Sequence, residues 1–152
     1  MMPAFNIENA TLEDIPALTA LLDRLFAIEV DFSADRKKQT LGLQMIIQNP
    51  QHAIIKVARN SENKVVGMVS AQLVISTAQG SYSAWVEDMV VAEAYRGYGM
   101  GRCLLNAAIS WAKEKGASRA QLLVDIENEP AIGYYQHLGW ESTQLQARKI
   151  FF

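Results

Sequence analysis

Three glycines and two arginines crowd together in the middle of the chain, in the run Arg96-Gly97-Tyr98-Gly99-Met100-Gly101-Arg102. Bulky apolar and β-branched residues precede this run from Trp85 to Val91, and apolar residues follow it at three- and four-residue steps. The pattern predicts a strand, a tight turn and a helix. A helix N-terminus has unpaired N–H groups, and glycine has no side chain to block them. The run therefore predicts a site for an anion such as a phosphate.

Other phosphate-binding motifs fit this run less well. The glycines are spaced two and two, so they do not match Gly-x-Gly-x-x-Gly of dinucleotide-binding folds. Asp125 is only a loose candidate for the acidic residue of that motif. No Gly-Lys-Ser/Thr follows, which excludes a Walker loop. An ordinary strand-to-helix turn remains the structural alternative.

A second block lies downstream, from Asn128 to Trp140, and reads NEPAIGYYQHLGW. With the glycine run it resembles the GNAT N-acetyltransferase superfamily. The loop of that superfamily for the acetyl-CoA pyrophosphate is Arg/Gln-x-x-Gly-x-Gly/Ala, and its later segment is Asn-x-x-Ala-x-x-Phe-Tyr-x-x-x-Gly-Phe. The strand from Val86 to Val91 is similar to its fourth strand. The resemblance covers residues from Trp85 to Trp140, and in the first half of the chain it concerns layout only.

The resemblance implies that acetyl-CoA is the cosubstrate. It assigns cofactor contacts to the strand main chain, to the glycine loop and to a downstream asparagine and tyrosine. These residues are Met89, Val90, Val91, Arg96, Gly97, Tyr98, Gly99, Met100, Gly101, Arg102, Asn128 and Tyr135. Tyr135 is also implied as the catalytic acid that protonates the departing thiolate, with core packing as its alternative. Asn128 has a plain helix cap as its alternative.

The catalytic base is predicted on the central strand. Glu87 lies two residues before Met89 and is the first candidate, directly or through a water. Regular alternation places Asp88 on the opposite face of the strand, although a bulge could reverse that order. Asp88 is the second candidate, and either acid could instead be structural.

An amine pocket is expected between the first two helices and the hairpin that follows them. The acids Glu29, Asp31 and Asp35 could attract a cationic amine there, or could form a solvated loop. Trp85 and Tyr82 could line the pocket or simply pack.

The order of elements predicts an α/β fold. Strands are predicted at residues 5–9, 53–58, 65–75, 85–91 and 119–125, with a final strand or pair of strands at 141–150. Helices are predicted from Thr11 or Asp14 to about residue 28, and at about 37–48, 102–115 and 128–138. The expected architecture is a mixed, largely antiparallel central sheet of about six or seven strands with helices on both faces. No linker or repeat interrupts residues 1–152, so we expect a single domain.

Composition narrows the class of protein. The chain has 152 residues, half of them hydrophobic, and a net charge of −2, which is typical of a soluble globular domain and argues against nucleic-acid binding. The single cysteine, Cys103, is expected to pack in the core. No apolar run is long enough for a membrane helix, and no secretion signal is recognisable. We therefore expect a cytoplasmic protein without a metal, and a homodimer is possible.

The sequence thus predicts an N-acetyltransferase that moves an acetyl group from acetyl-CoA to a primary amine by direct attack in a ternary complex. The amine belongs to a small molecule or a peptide, and its identity stays open. A non-catalytic acyl-CoA-binding module is the alternative, and an unrelated nucleotide-binding domain ranks last.

Overall fold

The computed structural model describes residues 3–29 and 33–152. The chain divides into two units, residues 1–122 and residues 123–152. The prediction of a single domain stays a prediction.

One sheet organises the first unit. Its strands are β1 (Phe5–Asn9), β2 (Ala53–Asn60), β3 (Val65–Ser76), β4 (Ser81–Val91) and β5 (Ala117–Leu122), and they lie side by side in that order. Neighbouring strands are antiparallel except for β4 and β5, which are parallel. The mixed, largely antiparallel sheet is confirmed, but it has five strands in the described residues rather than six or seven.

Helices cover both faces of this sheet. The helices of the first unit are α1 (Ile15–Ile28), α2 (Arg36–Ile47) and α3 (Met100–Glu114), and short 3-10 turns span Leu12–Asp14 and Glu93–Tyr95. Leu18 of α1 and Leu43 of α2 share a core with Met68 of β3. A Cβ added to Gly67 would meet Leu104 of α3 at 3.1 Å. Because adjacent strand residues point to opposite faces, α3 lies on the face opposite to α1 and α2.

Helix α3 begins two residues earlier than predicted and buries one apolar stripe. Its buried residues are Met100, Leu104, Leu105, Ala108, Trp111 and Ala112. The expectation that Cys103 packs in the core is wrong, because Cys103 is exposed. It lies on the exposed side of the helix together with Asn106 and Ser110, away from the buried stripe.

The second unit contains α4 (Glu129–His137) and an irregular C-terminal segment. The predicted strand at residues 141–150 is wrong, because the structure, which describes all of residues 123–152, has no strand there. A strand requires a neighbour that pairs with its N–H and C=O groups, and this unit offers none. The apolar side chains of residues 141–152 are exposed, with Leu145 83% and Phe151 85% accessible to solvent.

A buried ion pair joins the start of α1 to β2. The Arg59 guanidinium donates from Nη1 and Nη2 to Oδ1 and Oδ2 of Asp14 at 2.8 and 2.7 Å. The Thr11 N–H also donates to Asp14 at 2.8 Å, and Arg59 contacts Glu8 as well. These hydrogen bonds, led by the one from Arg59, hold the pKa of Asp14 below its usual range.

We expect Arg59→Met to lower the free energy of unfolding at pH 7 by about 3 kcal/mol, because it leaves the Asp14 carboxylate buried without its cation. In the wild type the stabilisation by a lowered carboxyl pKa is complete above the ordinary pKa and is lost as the pH falls through the lowered value. The difference between the two proteins should therefore shrink toward pH 3. Urea denaturation at both pH values measures it. Lys64→Met removes only an exposed pair with Glu62 and should cost less than about 1 kcal/mol.

Candidate active site

A bulge in β4 is the feature around which the candidate site is built. Met68 of β3 pairs with Val90, but Ser70 pairs with Glu87. One residue of β3 therefore lies opposite two residues of β4, Asp88 and Met89. Asp88 adopts a left-handed conformation, with φ of 55°. Apart from glycine, aspartate and asparagine are the residues that tolerate this conformation best.

The bulge decides which way the two acids of β4 point. Residues that pair across strands share a face, so Glu87 lies on the face of Ser70, which is also the face of α1 and α2. Beyond the bulge, Val90 returns to that same face and is buried in its core. Asp88 and Met89 occupy the irregular step between them and are half-buried.

Burial changes the acidity of Asp88. Loss of water, together with the negative charges of Glu87 and Glu29, raises the pKa of Asp88 to about 7. Glu29 lies at the C-terminal end of α1, so a helix far from β4 in sequence contributes to this environment. A carboxyl group with a pKa near neutrality can accept a proton and release it again, as a general base must.

The edge of β4 next to β5 is only partly paired. Strand β5 pairs with Tyr82 to Val86 and ends at Leu122, opposite Val86. Among the described residues, no strand pairs with this edge from Glu87 to Val91, which includes the predicted cofactor residues Met89, Val90 and Val91. Main-chain N–H and C=O groups there can hydrogen-bond an extended ligand as a further strand would.

The glycine loop connects β4 with α3 in a shape that exposes the helix N-terminus. Gly97 and Gly99 have left-handed φ angles of 85° and 81°, and nothing lies within 4 Å of a Cβ built on either. Gly99 is the N-cap of α3 and provides no side-chain cap, and no acidic residue lies in the first turn. The first N–H groups of α3 are thus accessible to an anion, and the helix dipole favours its charge.

The other loop residues have different positions. Arg96 donates from Nε to the Val91 carbonyl at 2.9 Å and so closes the loop onto the end of β4. Met100 is buried and anchors the start of α3, whereas Tyr98 is 40% exposed. Gly101 and Arg102 belong to the first turn of α3, where Arg102 is exposed.

Asn128 and Tyr135 belong to the second unit. The Asn128 carboxamide oxygen accepts from the Ala131 N–H at 3.2 Å and caps α4. The Tyr135 ring packs edge-on against Tyr134 and Trp140, with centroids 5.5 and 6.0 Å away. The helix cap is the structural alternative given above for Asn128, and ring packing is the alternative given for Tyr135. The cofactor contacts of both residues and the acid role of Tyr135 stay predictions.

One of the acids predicted to attract an amine, Asp35, has a structural role instead. The Asp35 carboxylate caps α2 by accepting from the Lys37 and Lys38 N–H groups, both at 3.1 Å. Asp31 lies outside the described residues.

Ser70, which sequence reasoning missed, donates its hydroxyl to the Glu87 carbonyl at 3.0 Å beside the bulge. A serine within the otherwise apolar run of residues 65–71 was the signal that could have found it.

Comparison with known proteins identifies a family. The family model described as Acetyltransferase (GNAT) family matches residues 16–140. The chain is 27% identical to an aminoalkylphosphonate N-acetyltransferase of Salmonella typhimurium over 98% of this chain and 93% of that protein. It is 43% identical to a streptothricin acetyltransferase of Streptomyces lavendulae over 40% of this chain and 34% of that protein.

A solved structure of similar fold contains CoA. It is the aminoglycoside N-acetyltransferase AAC(6')-Iy in complex with CoA, with a TM-score of 0.80 and 19% identity over 100% of this chain and 95% of that chain. At this identity the likeness concerns the fold alone. In the part of the chain that the structure describes, no helix is both long and apolar enough to cross a membrane.

Proposed function

Because the chain belongs to the GNAT acetyltransferase family, we propose that it transfers an acetyl group from acetyl-CoA to a primary amine by direct attack in a ternary complex. The observation that carries the proposal is the β4 bulge, which brings a carboxyl group of raised pKa next to an unpaired strand edge. The names of the sequence relatives, which mention aminoalkylphosphonate and streptothricin, support a small-molecule amine as the acceptor.

Two features of the first unit support the proposed binding of acetyl-CoA. The open positions above Gly97 and Gly99 support binding of the pyrophosphate at the N-terminus of α3. The unpaired edge from Glu87 to Val91 supports hydrogen bonds between the β4 main chain and the pantetheine arm. Acetyl-CoA would supply the activated acetyl thioester, and the protein would hold it and handle the protons.

We assign the base to Asp88 in preference to Glu87, the first candidate from the sequence. An ammonium group cannot attack a thioester, so the amine must first lose a proton. The raised pKa of Asp88 allows its carboxylate to take this proton near neutral pH. Glu87 is exposed, and its carboxylate accepts from the Trp85 indole N–H, which suits a binding role better than proton transfer.

Tyr135 is proposed to return a proton to the departing thiolate. A phenol has an ordinary pKa of ~10, so it is protonated at neutral pH and can donate to a thiolate within hydrogen-bond reach. Asn128 is proposed as the polar contact to pantetheine, in addition to its role as helix cap.

Titration calorimetry with acetyl-CoA, combined with a thiol-release assay on a panel of primary amines, tests the proposed function. We expect acetyl-CoA to bind and CoA thiol to appear only when an accepted amine is present. Binding of acetyl-CoA without turnover on any amine would favour a non-catalytic acyl-CoA-binding module. Absence of binding would contradict both functions.

Tyr135→Phe is expected to lower kcat by about 10²-fold, because the variant loses the proton donor while keeping the aromatic ring. The ring contacts with Tyr134 and Trp140 should hold the shape of the second unit. Steady-state kinetics and acetyl-CoA titration check this together, and we expect the Kd to change by less than about twofold. Tyr134→Phe is the matched control and should retain its kcat. Equal effects of the two substitutions would mean that Tyr135 serves packing only.

A further inference from the structure

One face of the sheet changes from apolar to polar at the bulge. On the side of the bulge toward the end of β4, the paired residues Met68 and Val90 are buried in the core with α1 and α2. On the side toward the start of β4, the same face presents the pairs Ser70–Glu87 and Gln72–Trp85. Gln72 and Glu87 are exposed and Trp85 is half-buried. This polar face, defined by Gln72, Trp85 and Glu87, adjoins the proposed base Asp88.

The Glu87 carboxylate is held in place on this polar face. The Trp85 indole N–H donates to Oε1 of Glu87, two residues along the same strand face. The Ser70 hydroxyl donates to the Glu87 carbonyl at 3.0 Å and fixes the main chain at the same position. Among the described residues, no ion pair neutralises Glu87. A positioned carboxylate beside an indole is a favourable environment for a cation.

A cation bound beside Glu87 would differ from the amine that reacts. The reacting amine must lose its proton before attack, and a carboxylate that paired with it would keep it protonated. Glu87 therefore favours a second positive charge on the acceptor, one that remains an ammonium throughout the reaction.

We infer that Glu87, positioned by the Trp85 indole, determines acceptor specificity by binding a second ammonium group, so that the acceptor class is a diamine or polyamine. The inference rests on the proposed function, because it assigns the acceptor side of the same site. It extends that function by separating two neighbouring acids, Asp88 for proton transfer and Glu87 for recognition.

The test compares three amines of equal length: cadaverine, n-pentylamine and aminovaleric acid, which carry a second ammonium group, no second charge and a carboxylate. Their affinities for the CoA-saturated protein are measured by titration calorimetry, which requires no turnover. We expect cadaverine to bind about tenfold more tightly than n-pentylamine, and aminovaleric acid to bind most weakly.

Glu87→Gln is expected to reduce the ratio of the affinities for cadaverine and n-pentylamine to about one. Trp85→Phe, which retains an aromatic ring but has no N–H, should reduce this ratio partly. Glu62→Gln removes the same charge from the turn between β2 and β3 and should leave the preference unchanged. Thermal melts verify that each variant is folded, and Glu87→Asp, which keeps the charge on a shorter side chain, should restore part of the preference. The kcat/KM ratio for the two amines, wherever turnover is measurable, should follow the affinities.

The result separates the inference from the proposed function. Equal affinity of the wild type for cadaverine and n-pentylamine overturns the inference, even if both amines are acetylated. A Glu87→Gln variant that binds both amines with unchanged preference overturns it as well, because another group must then recognise the second charge. Failure to bind CoA or to acetylate any amine would instead contradict the proposed function.

Discussion

Asp88→Asn is expected to lower kcat by about 10³-fold, because the variant has no group at this position that can accept the proton of the amine. Asparagine tolerates the left-handed φ of 55° nearly as well as aspartate, so the bulge should persist. The affinity for acetyl-CoA should be almost unchanged. A kcat that falls by less than about fivefold would exclude Asp88 as the base.

The pH dependence of kcat gives a second measurement on Asp88. In the wild type kcat should rise with pH and level off above about 7, because only the ionised carboxylate accepts a proton. In Asp88→Asn this dependence should disappear. In Glu87→Gln it should move to lower pH, because one of the charges that raise the pKa of Asp88 is gone.

Asp88→Asn should also stabilise the fold at high pH. A carboxyl group whose pKa is raised in the folded state binds a proton more tightly there than in the unfolded state, so the wild type loses stability as the pH rises from about 4 to about 7. Asparagine has no charge to bury. We expect Asp88→Asn to exceed the wild type in free energy of unfolding at pH 8 by about 2–4 kcal/mol. Loss of activity together with a gain of stability would show that the activity loss does not come from misfolding.

The double variant Gly97→Ala and Gly99→Ala is expected to weaken CoA binding by about 10³-fold. Both residues have left-handed φ angles, and each added Cβ would enter the open space above the N-terminus of α3. Loss of two charge-assisted hydrogen bonds to the pyrophosphate accounts for the expected magnitude, at about 2 kcal/mol each. Titration calorimetry with CoA measures it, and titration with pantetheine, which lacks the pyrophosphate, should show little change.

A matched control separates phosphate contact from backbone strain. Gly80 and Gly116 also have left-handed φ angles, of 64° and 96°, and open space around an added Cβ. Gly80→Ala with Gly116→Ala should therefore cost similar stability, about 1–2 kcal/mol per site, without weakening CoA binding. If both double variants lost CoA to the same extent, the glycine loop would have no specific role in binding the pyrophosphate.

Most of the sheet could be predicted from local pattern. Strand β1 has the predicted bounds, and β3 extends one residue beyond them, because alternating apolar residues flanked by polar turns reflect burial directly. The parallel edge strand was less predictable: β5 spans Ala117–Leu122 instead of residues 119–125. The strand prediction for residues 141–150 was wrong, because strand formation depends on a pairing partner that the local sequence does not reveal.

The candidate site was predictable to the extent that it depends on glycine and on sequence spacing. Gly97 and Gly99 have the left-handed conformations that a tight phosphate loop requires. The ranking of Glu87 above Asp88 assumed regular alternation, which the bulge interrupts. The raised pKa of Asp88 depends on burial, on the adjacent Glu87 and on Glu29, and of these causes only Glu87 is visible in the residues around Asp88.

The partly unpaired edge of β4 has a consequence for the behaviour of the protein in solution. An open strand edge inside a sheet is a template on which another chain can add a strand, and this is a common route to aggregation. Here the open stretch is short, it is twisted by the bulge, and Glu87 and Asp88 place acidic side chains on it. The acids proposed for catalysis and recognition thus also keep foreign strands away from the edge. Bound CoA would cover the same groups, so the ligand-free protein should be the form that aggregates first on storage.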